Sequence, residues 1–391
     1  MPAEPCPAAP IRLAAVRARA APRGSRRPLL PAALRPVWRA AGELQLGLDP
    51  DRAVVVDGVD EPTARVLLGL DGSRTEAEVL AAAGGDGVDA GMLGGLLADL
   101  RDAGVLAEAG GGPATRPAEP APPPGSAAAA RAFGAPAAAG RLGPDLAALS
   151  LLDPPLGVVT PPLELLRRRR AATVVVHGAG RVGMSVATPL AAAGVGRVHV
   201  ADRGPVRPGD VAPAGFPAGH VDRTRSGAAV EALHRVAPEV HSGAPAPGRR
   251  PDLLVLPSVE PVDAALRGIL TGGGVPHLVV GVRETTAVAG PLVLPGLTGC
   301  LRCADLHRTD RDPAWPVVAA QLAGVRRRRE EPCDVVLATV AAGVAALQCL
   351  AHLDGRPVAA AGASLEMALP DWRLRRRGWP PHPRCDCGAT P

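Results

Sequence analysis

The chain has 391 residues, of which 43 are basic and 38 are acidic, and its formal net charge at pH 7 is +5. This length exceeds one ordinary hydrophobic core and suggests two domains, with 47% apolar residues to fill them. Lys, Asn and Tyr are absent, which excludes mechanisms that need a phosphate-loop Lys, a Schiff-base Lys or a Tyr/Lys dehydrogenase pair.

Composition also bears on partners and location. The basic runs are scattered, and only two Phe and four Trp could stack on bases, so no nucleic-acid partner is expected. The longest apolar run, residues 335–350, is interrupted by Thr339, Gly343 and Gln348 and falls short of the roughly 18 to 20 residues of a membrane span. It predicts a buried helix, and no membrane is expected among the partners. No apolar stretch near the N-terminus could serve as a secretion signal, which favours a cytoplasmic location.

The N-terminal part of the chain predicts a small domain between two unstructured segments. Residues 1–40 are rich in Arg, Ala and Pro and are expected to form a disordered tail. Within residues 41–109, LQLGLD and AVVVDGV are typical of strands, and three helical patterns follow, the last being AGMLGGLLADLRDAG. This order predicts a small α/β, winged-helix-like domain. Residues 110–140 are dominated by Gly, Pro and Ala and predict a linker.

Residues 141–391 alternate strand and helix patterns. TVVVH, RVHVA, DLLVLP and PHLVVG are typical of buried strands, and helical segments such as SVATPLAAAG and RSGAAVEALHRVA separate them. This alternation predicts an α/β domain with a doubly wound, Rossmann-like sheet.

A glycine motif lies between the first of these strands and the next helix. In TVVVHGAGRVGMSVATPL, Gly178 permits a tight turn, Gly180 lets the backbone approach a phosphate, and Gly183 allows close packing of the helix. Asp202 ends the following strand, where its carboxylate can accept hydrogen bonds from ribose hydroxyls. The motif predicts a nucleotide site, and a tight turn without a ligand is the alternative.

Such a motif is also found in NAD-dependent oxidoreductases. The acid of a hydride transfer would have to be a histidine, because Tyr and Lys are absent. His177, His199 and His277 lie in or at predicted strands, where a structural histidine is commoner than a catalytic one. An NAD-dependent oxidoreductase is therefore the least favoured function.

Four of the seven cysteines form two close pairs. Cys300 and Cys303 belong to CLRC, and Cys385 and Cys387 belong to CDC near the C-terminus. Without a secretion signal, disulfides are not expected, and metal or catalytic roles come first. Four thiolates complete a tetrahedron and leave no open position for water, so the pattern predicts a structural zinc site that attaches the end of the chain to the domain.

Cys333 lies apart from these pairs. It follows RRRREEP and immediately precedes a long apolar helix, where the local field favours a thiolate nucleophile. A small capping or packing residue is an equal alternative. Cys349 is expected to lie in the core, and Cys6 in the tail has no assigned role.

Several of these features occur together in the order typical of one family. The GAGRVG loop, Asp202, the CLRC pair, the EPC-helix-LDG segment and the terminal cysteine pair resemble ThiF-type proteins of the ubiquitin-activating-enzyme superfamily, over roughly Thr173 to Gly388. The resemblance implies a ThiF-type fold and Mg-ATP-dependent adenylation of the C-terminal carboxylate of a peptide or small protein. It also implies a possible homodimer.

Two regions of the chain resemble more specific groups of proteins. GPLVLPGLTGCLRCADLHRTDRDPAWP and PHPRCDC are similar to ThiF-like partner proteins of azoline-forming cyclodehydratases, which serve in ribosomal peptide modification. LLGLDGSRTEAEVL with LLADLRDAGVL is similar to PqqD-like clasp domains that hold a precursor's leader peptide, typically as a strand added to a sheet edge. A plain winged-helix domain fits the same pattern.

The chain departs from the family at its catalytic positions. The family uses an Asn, a Lys and a magnesium-binding Asp, whereas this chain has no Asn or Lys and carries Ser258 and Val259 where the Asp is expected. Arg225 stands where the Lys is expected and could meet a phosphate, and Asp210 or Glu260 could replace the magnesium contact.

The sequence therefore favours a scaffold that binds and presents a precursor peptide, while a partner, an ATP-using cyclodehydratase, performs the chemistry. The alternative is an active adenylyltransferase that binds ATP through Gly178, Gly180, Gly183, Asp202 and Arg225, with Cys333 as acyl acceptor.

Overall fold

The computed structural model describes residues 11–14, 26–31, 33–49, 53–108, 140–152, 162–258, 261–324 and 332–389. The chain divides into two compact units, Met1–Leu165 and Leu166–Pro391. This boundary lies beyond the one expected at residues 140/141. The expected linker, residues 110–140, lies outside the described residues except for Gly140.

The first unit contains a four-stranded sheet and a separate pair of short strands. The strands are β1 (Ile11–Ala14), β2 (Pro28–Leu29), β3 (Pro36–Ala40), β4 (Glu43–Leu46), β5 (Val54–Asp57) and β6 (Ala107–Glu108). The sheet has the order β1-β5-β4-β3, in which β3, β4 and β5 are antiparallel and β1 is parallel to β5. β2 pairs with β6.

Three strands lie in the expected tail, so the expectation of disorder throughout residues 1–40 is wrong for β1, β2 and β3. Each of them pairs with a later part of the chain. In β1, Ile11 lies opposite Val54, and the guanidinium of Arg12 is 3.2 Å from the carboxylate of Asp57. Local composition cannot reveal β1 and β2, whose partners lie far along the chain.

Three helices follow this sheet and bury its apolar residues. They are α1 (Glu61–Leu68), α2 (Glu76–Gly85) and α3 (Ala90–Asp102). Each begins at a residue whose side chain accepts a hydrogen bond from the first turn, namely Asp60, Thr75 and Asp89. The order of strands and helices confirms the predicted winged-helix-like α/β class. A fourth helix, α4 (Gly143–Leu149), also belongs to this unit.

The second unit is built on a seven-stranded sheet of order β13-β12-β11-β10-β9-β7-β8. The strands are β7 (Thr173–Val176), β8 (Arg197–Val200), β9 (Leu253–Leu256), β10 (His277–Arg283), β11 (Thr286–Val293), β12 (Ala363–Ala368) and β13 (Leu374–Gly378). The helices of residues 162–353 are α5 (Pro162–Ala171), α6 (Arg181–Ala192), α7 (Arg225–Val236), α8 (Ala264–Gly272), α9 (Leu301–Arg311), α10 (Trp315–Gly324) and α11 (Val335–Leu353).

Half of this sheet has the predicted Rossmann-like arrangement. β8, β7, β9 and β10 are parallel, and β11 to β13 extend the sheet in antiparallel order. The parallel half confirms the fold class predicted from the alternating patterns. The antiparallel extension was not anticipated.

Helix α11 is the long apolar helix expected from the sequence. It is long and apolar enough to span a membrane by length and composition alone. It packs against α6, β10 and β11, and buries Leu337, Ala341, Ala345 and Cys349 among other residues. The prediction of a buried core helix is confirmed.

Candidate functional site

The glycine motif forms the turn between β7 and α6. Gly178 has φ +134°, a conformation that L side chains rarely adopt. A Cβ added to Gly183 would lie 2.0 Å from the carbonyl oxygen of Gly178, so only glycine allows this approach. Gly180 caps α6 without a side-chain hydrogen bond. The first N–H groups of the helix are therefore suited to an anion such as phosphate.

A three-membered ion cluster lies beside this turn. One carboxylate oxygen of Asp202 accepts hydrogen bonds from the Ala179 N–H at 2.7 Å and from Arg225 at 3.2 Å. The same guanidinium donates to Asp210 at 2.6 and 3.1 Å. The three side chains are only 12 to 20% exposed, so these contacts are partly shielded from water.

One cleft of about 1420 Å³ connects these groups. Its lining includes Gly178, Asp202, Asp210, Arg225 and Cys333. Other lining residues follow the carboxyl ends of β7 and β9, where ligands of open α/β sheets usually bind. The volume exceeds the about 300 to 1,000 Å³ of an ordinary small-molecule site, which leaves room for more than one ligand.

The remaining positions of the expected catalytic set differ in their placement. Ser258 lines the cleft, whereas Val259 and Glu260 lie outside the described residues. Sequence reasoning missed Arg181, which also lines the cleft and donates a hydrogen bond to the backbone oxygen of Cys333 at 2.5 Å. Its position inside the GAGRVG motif was the only available signal.

Cys333 lines the cleft but does not cap α11. The cap is Asp334, whose carboxylate accepts hydrogen bonds from Val336 N–H at 2.9 Å and Leu337 N–H at 2.8 Å. This carboxylate occupies the helix N-terminus and adds negative charge next to the thiol. The argument that the helix favours a Cys333 thiolate is therefore weakened, and its catalytic role stays a prediction.

The four paired cysteines form one cluster. Sγ of Cys300 lies 3.8 Å from that of Cys303 and 3.6 Å from that of Cys385, and Cys303 lies 3.6 Å from Cys387. Zn–S bonds of about 2.3 Å in a tetrahedron separate the sulfurs by about 3.8 Å, so the cluster fits zinc. Burial raises the pKa of the Cys300 thiol to about 11, so a bound cation is needed to hold it as a thiolate at neutral pH.

A second group beside the cysteines, His307, Asp310 and His382, could hold a metal by proximity alone. However, Nδ1 of His382 accepts a hydrogen bond from the Arg384 N–H at 3.1 Å, so Nε2 carries the proton that it donates to Asp310 at 2.7 Å. This tautomer leaves His382 no free lone pair for a metal. The His382 backbone N–H also lies 3.3 Å from Sγ of Cys303, so the group braces the cysteine cluster.

Comparisons with known proteins agree with this geometry. The ThiF family model matches residues 158–246. The solved structure of E. coli MccB with ATP is 14% identical, covers 92% of this chain and 99% of that chain, and gives a TM-score of 0.64. The structure of the Microcin C7 biosynthetic enzyme MccB in complex with N-formylated MccA is also 14% identical. It covers 93% of this chain and 99% of that chain, with a TM-score of 0.64. The structure of PaaA is 16% identical, covers 89% of this chain and 98% of that chain, and gives a TM-score of 0.59. At these identities the likeness establishes the fold. No curated protein matches the sequence.

Proposed function

We propose that this chain, which has a ThiF-type fold and matches the ThiF family model over residues 158–246, uses ATP to activate the carboxylate of a peptide. The observation that carries this proposal is the single cleft lined by Gly178, Gly180, Asp202, Asp210 and Arg225. The similar MccB structures include one with ATP and one with the peptide MccA, which supports a nucleotide and a peptide as the two ligands.

The groups beside the glycine turn have distinct roles in this proposal. The uncapped N-terminus of α6 holds phosphate oxygens, and Asp202 accepts hydrogen bonds from the ribose. Arg225 supplies the positive charge that the family obtains from Lys, and Asp210 supplies a carboxylate for Mg²⁺. Mg²⁺ would neutralise charge on the phosphates.

The reaction balances without a further reactant. An oxygen of the peptide carboxylate forms a bond to the α-phosphorus of ATP. The bond between that phosphorus and the oxygen bridging to the β-phosphate breaks, and pyrophosphate leaves with the electron pair. The product is an acyl-adenylate, which a nucleophile can then attack at the carbonyl carbon.

Pyrophosphate exchange tests this function. With a synthetic library of mixed-sequence peptides that carry free C-terminal carboxylates, we expect labelled pyrophosphate to enter ATP, and with the same library as C-terminal amides we expect no exchange. Arg225→Gln should reduce the exchange rate by about 100-fold, because one positioned charge at a developing anion contributes that much. Arg249→Gln, an exposed residue outside the cleft, serves as the matched control. Exchange that is unchanged by Arg225→Gln contradicts the roles assigned here.

Two observations favour a second function. Ser258 lines the cleft where the family has a magnesium-binding Asp, and Arg225 is already held by two carboxylates. If these features prevent adenylation, the chain presents a precursor peptide, and an ATP-using cyclodehydratase partner performs the chemistry. Peptide binding without pyrophosphate exchange, followed by ATP consumption only when the partner is added, is the outcome that this function requires.

In both cases we propose that the first unit holds the peptide as a PqqD-like clasp. Strand β3 is an edge of its sheet, all five of its residues are exposed, and Trp38 is 49% exposed. An extended peptide can pair with such an edge. Trp38→Ala should strongly reduce enrichment of peptides from the library by the immobilised full chain, whereas Trp372→Ala, 65% exposed in the second unit, should leave it unchanged. Equal enrichment by both variants would remove the clasp from the proposal.

For the cysteine cluster we propose a structural zinc ion held by Cys300, Cys303, Cys385 and Cys387. All four ligand positions are filled by thiolates, so the ion would have no open position for chemistry.

A further inference from the structure

Four of the arginines that line the cleft lie away from the glycine turn and are not needed for the nucleotide. They are Arg283 at the end of β10, Arg308 and Arg311 in α9, and Arg377 in β13. None of these elements contributes to the glycine turn or to the Asp202 and Asp210 cluster. We call these four residues the arginine wall.

A buried tryptophan orders the arginine wall. Trp379 is 2% exposed, and its indole N–H donates to the hydroxyl of Ser364 at 3.0 Å. The guanidinium carbons of Arg308, Arg311 and Arg377 lie 4.7, 5.2 and 6.0 Å from its ring centroid. Cation–π attraction of this kind restricts long side chains that would otherwise be mobile. The positive charges of these three arginines therefore converge on one ring.

Two of the four arginines of the wall pair with a carboxylate among the described residues, and two do not. Arg308 pairs with Asp305 at 3.0 Å, and Arg377 lies 3.5 Å from Glu366. Within the part of the chain that the structure describes, Arg283 and Arg311 form no ion pair.

Arg308 lies close to the like charge of Arg283. Burial lowers the pKa of its guanidinium, Asp305 opposes this, and the nearby positive charge of Arg283 lowers the pKa further. The carboxylates of Glu284 and Asp312 also line the cleft, but among the described residues neither forms an ion pair with the arginine wall. Like charges held together at a cleft are stabilised when an anion binds between them.

We propose that the arginine wall binds acidic side chains of the peptide, so that the protein selects peptides with Asp or Glu close to the carboxylate that it activates. The inference rests on the proposed function for the identity of the peptide carboxylate. Guanidinium groups recognise carboxylates through paired hydrogen bonds. The cleft of about 1420 Å³ is large enough for a nucleotide and an extended peptide end together.

Nucleic acid fits the arginine wall less well than an acidic peptide. A single-stranded nucleic acid needs open aromatic faces on which its bases stack, whereas Trp379 is buried beneath the arginines.

Fluorescence anisotropy on the full chain tests the proposal. The probes are two fluorescein-labelled peptides of Gly and Ser with free C-terminal carboxylates, one with three Glu residues before the last position and one with three Gln residues there. We expect the Glu peptide to bind at least about 10-fold more tightly, which corresponds to about 1.4 kcal/mol. The double variant Arg283→Gln/Arg311→Gln should lose this preference, and Arg249→Gln should keep it. Equal binding of both peptides to the unmodified chain overturns the proposal.

Two further measurements distinguish the peptide from other ligands of the arginine wall, and distinguish failure of this inference from failure of the proposed function. The double variant should raise the KM for the Glu peptide in pyrophosphate exchange and leave kcat and the ATP affinity unchanged. A loss of ATP affinity, or displacement of the peptide by single-stranded DNA at lower concentration than by unlabelled Glu peptide, contradicts the peptide assignment. Exchange with both peptides at equal KM overturns the inference while the proposed function stands. Arginine-dependent binding of the Glu peptide without any exchange supports the inference while the proposed function fails.

Discussion

Two glycines of the same turn differ in what a methyl group would meet. A Cβ at Gly183 would lie 2.0 Å from a backbone oxygen, whereas at Gly180 the nearest atom is an oxygen of Asp210 at 3.7 Å. We expect Gly183→Ala to lower the free energy of unfolding by several kcal/mol, roughly the upper range for point mutants, and Gly180→Ala to lower it much less. Urea denaturation of both variants checks this, and equal midpoints would contradict the close packing of α6.

The cysteine cluster makes an independent prediction. The purified chain should contain one zinc ion, and Cys303→Ser should lose the ion and unfold at lower temperature because the tetrahedron is incomplete. Cys349→Ala is the control, since Cys349 lies in α11 and packs in a different hydrophobic cluster from the four paired cysteines. Metal analysis by mass spectrometry measures the zinc content of both variants, and thermal denaturation measures their unfolding temperatures. Zinc retained in full by Cys303→Ser would contradict the assignment of the cysteine cluster as a zinc site.

Residues that belong to local motifs could be predicted from the sequence, and this includes the two cysteine pairs that the fold brings together. Contacts between residues outside such motifs could not be predicted. The spacing of Gly178 and Gly183 is a local requirement of the turn between β7 and α6, so the pattern alone indicated it. The contact of Asp210 with Arg225 arises from a loop without periodicity. The stacking of Arg308 on Trp379 joins residues from distant parts of the chain, and no spacing rule applies to it.

Between elements, a buried ion pair joins the end of α5 to the end of α11. Arg169 donates two hydrogen bonds to the carboxylate of Asp354, at 2.8 and 2.7 Å, and both side chains are at most 6% exposed. Asp354→Asn leaves a buried guanidinium unpaired and should cost about 3 to 5 kcal/mol. Asp371→Asn removes a surface partner of Arg375 and should cost less than about 1 kcal/mol. Chemical denaturation compares the two variants, and equal losses would contradict the buried pair.

Elements were predictable where burial imposes a pattern. The strands β7 and β9 are almost wholly buried and produce the apolar runs TVVVH and DLLVLP. Strand β13, with the sequence LRRRG, is exposed at all five residues and gives no apolar signal, so it could be found only through its pairing with β12. Strand β1 was missed for the same reason, because its pairing with β5 and not its composition defines it.

For the whole molecule, the fold and the proposed chemistry stand on different grounds. The ThiF-type fold follows from the sheet order, the family match and the similarity to MccB. The proposed activity depends on whether Arg225 and Asp210 can replace the family's catalytic Lys and the magnesium-binding Asp, which are missing at their expected positions. Both groups act by neutralising or positioning charge at the phosphates.

Transfer of the carboxylate oxygen tests the activity most directly. A peptide whose C-terminal carboxylate is labelled with heavy oxygen is incubated with the full chain, Mg-ATP and hydroxylamine, which captures the acyl group at its carbonyl carbon. Adenylation predicts AMP that carries one labelled oxygen, because the carboxylate oxygen has become part of the phosphate. Mass spectrometry that finds ADP, or AMP without the label, would contradict the account.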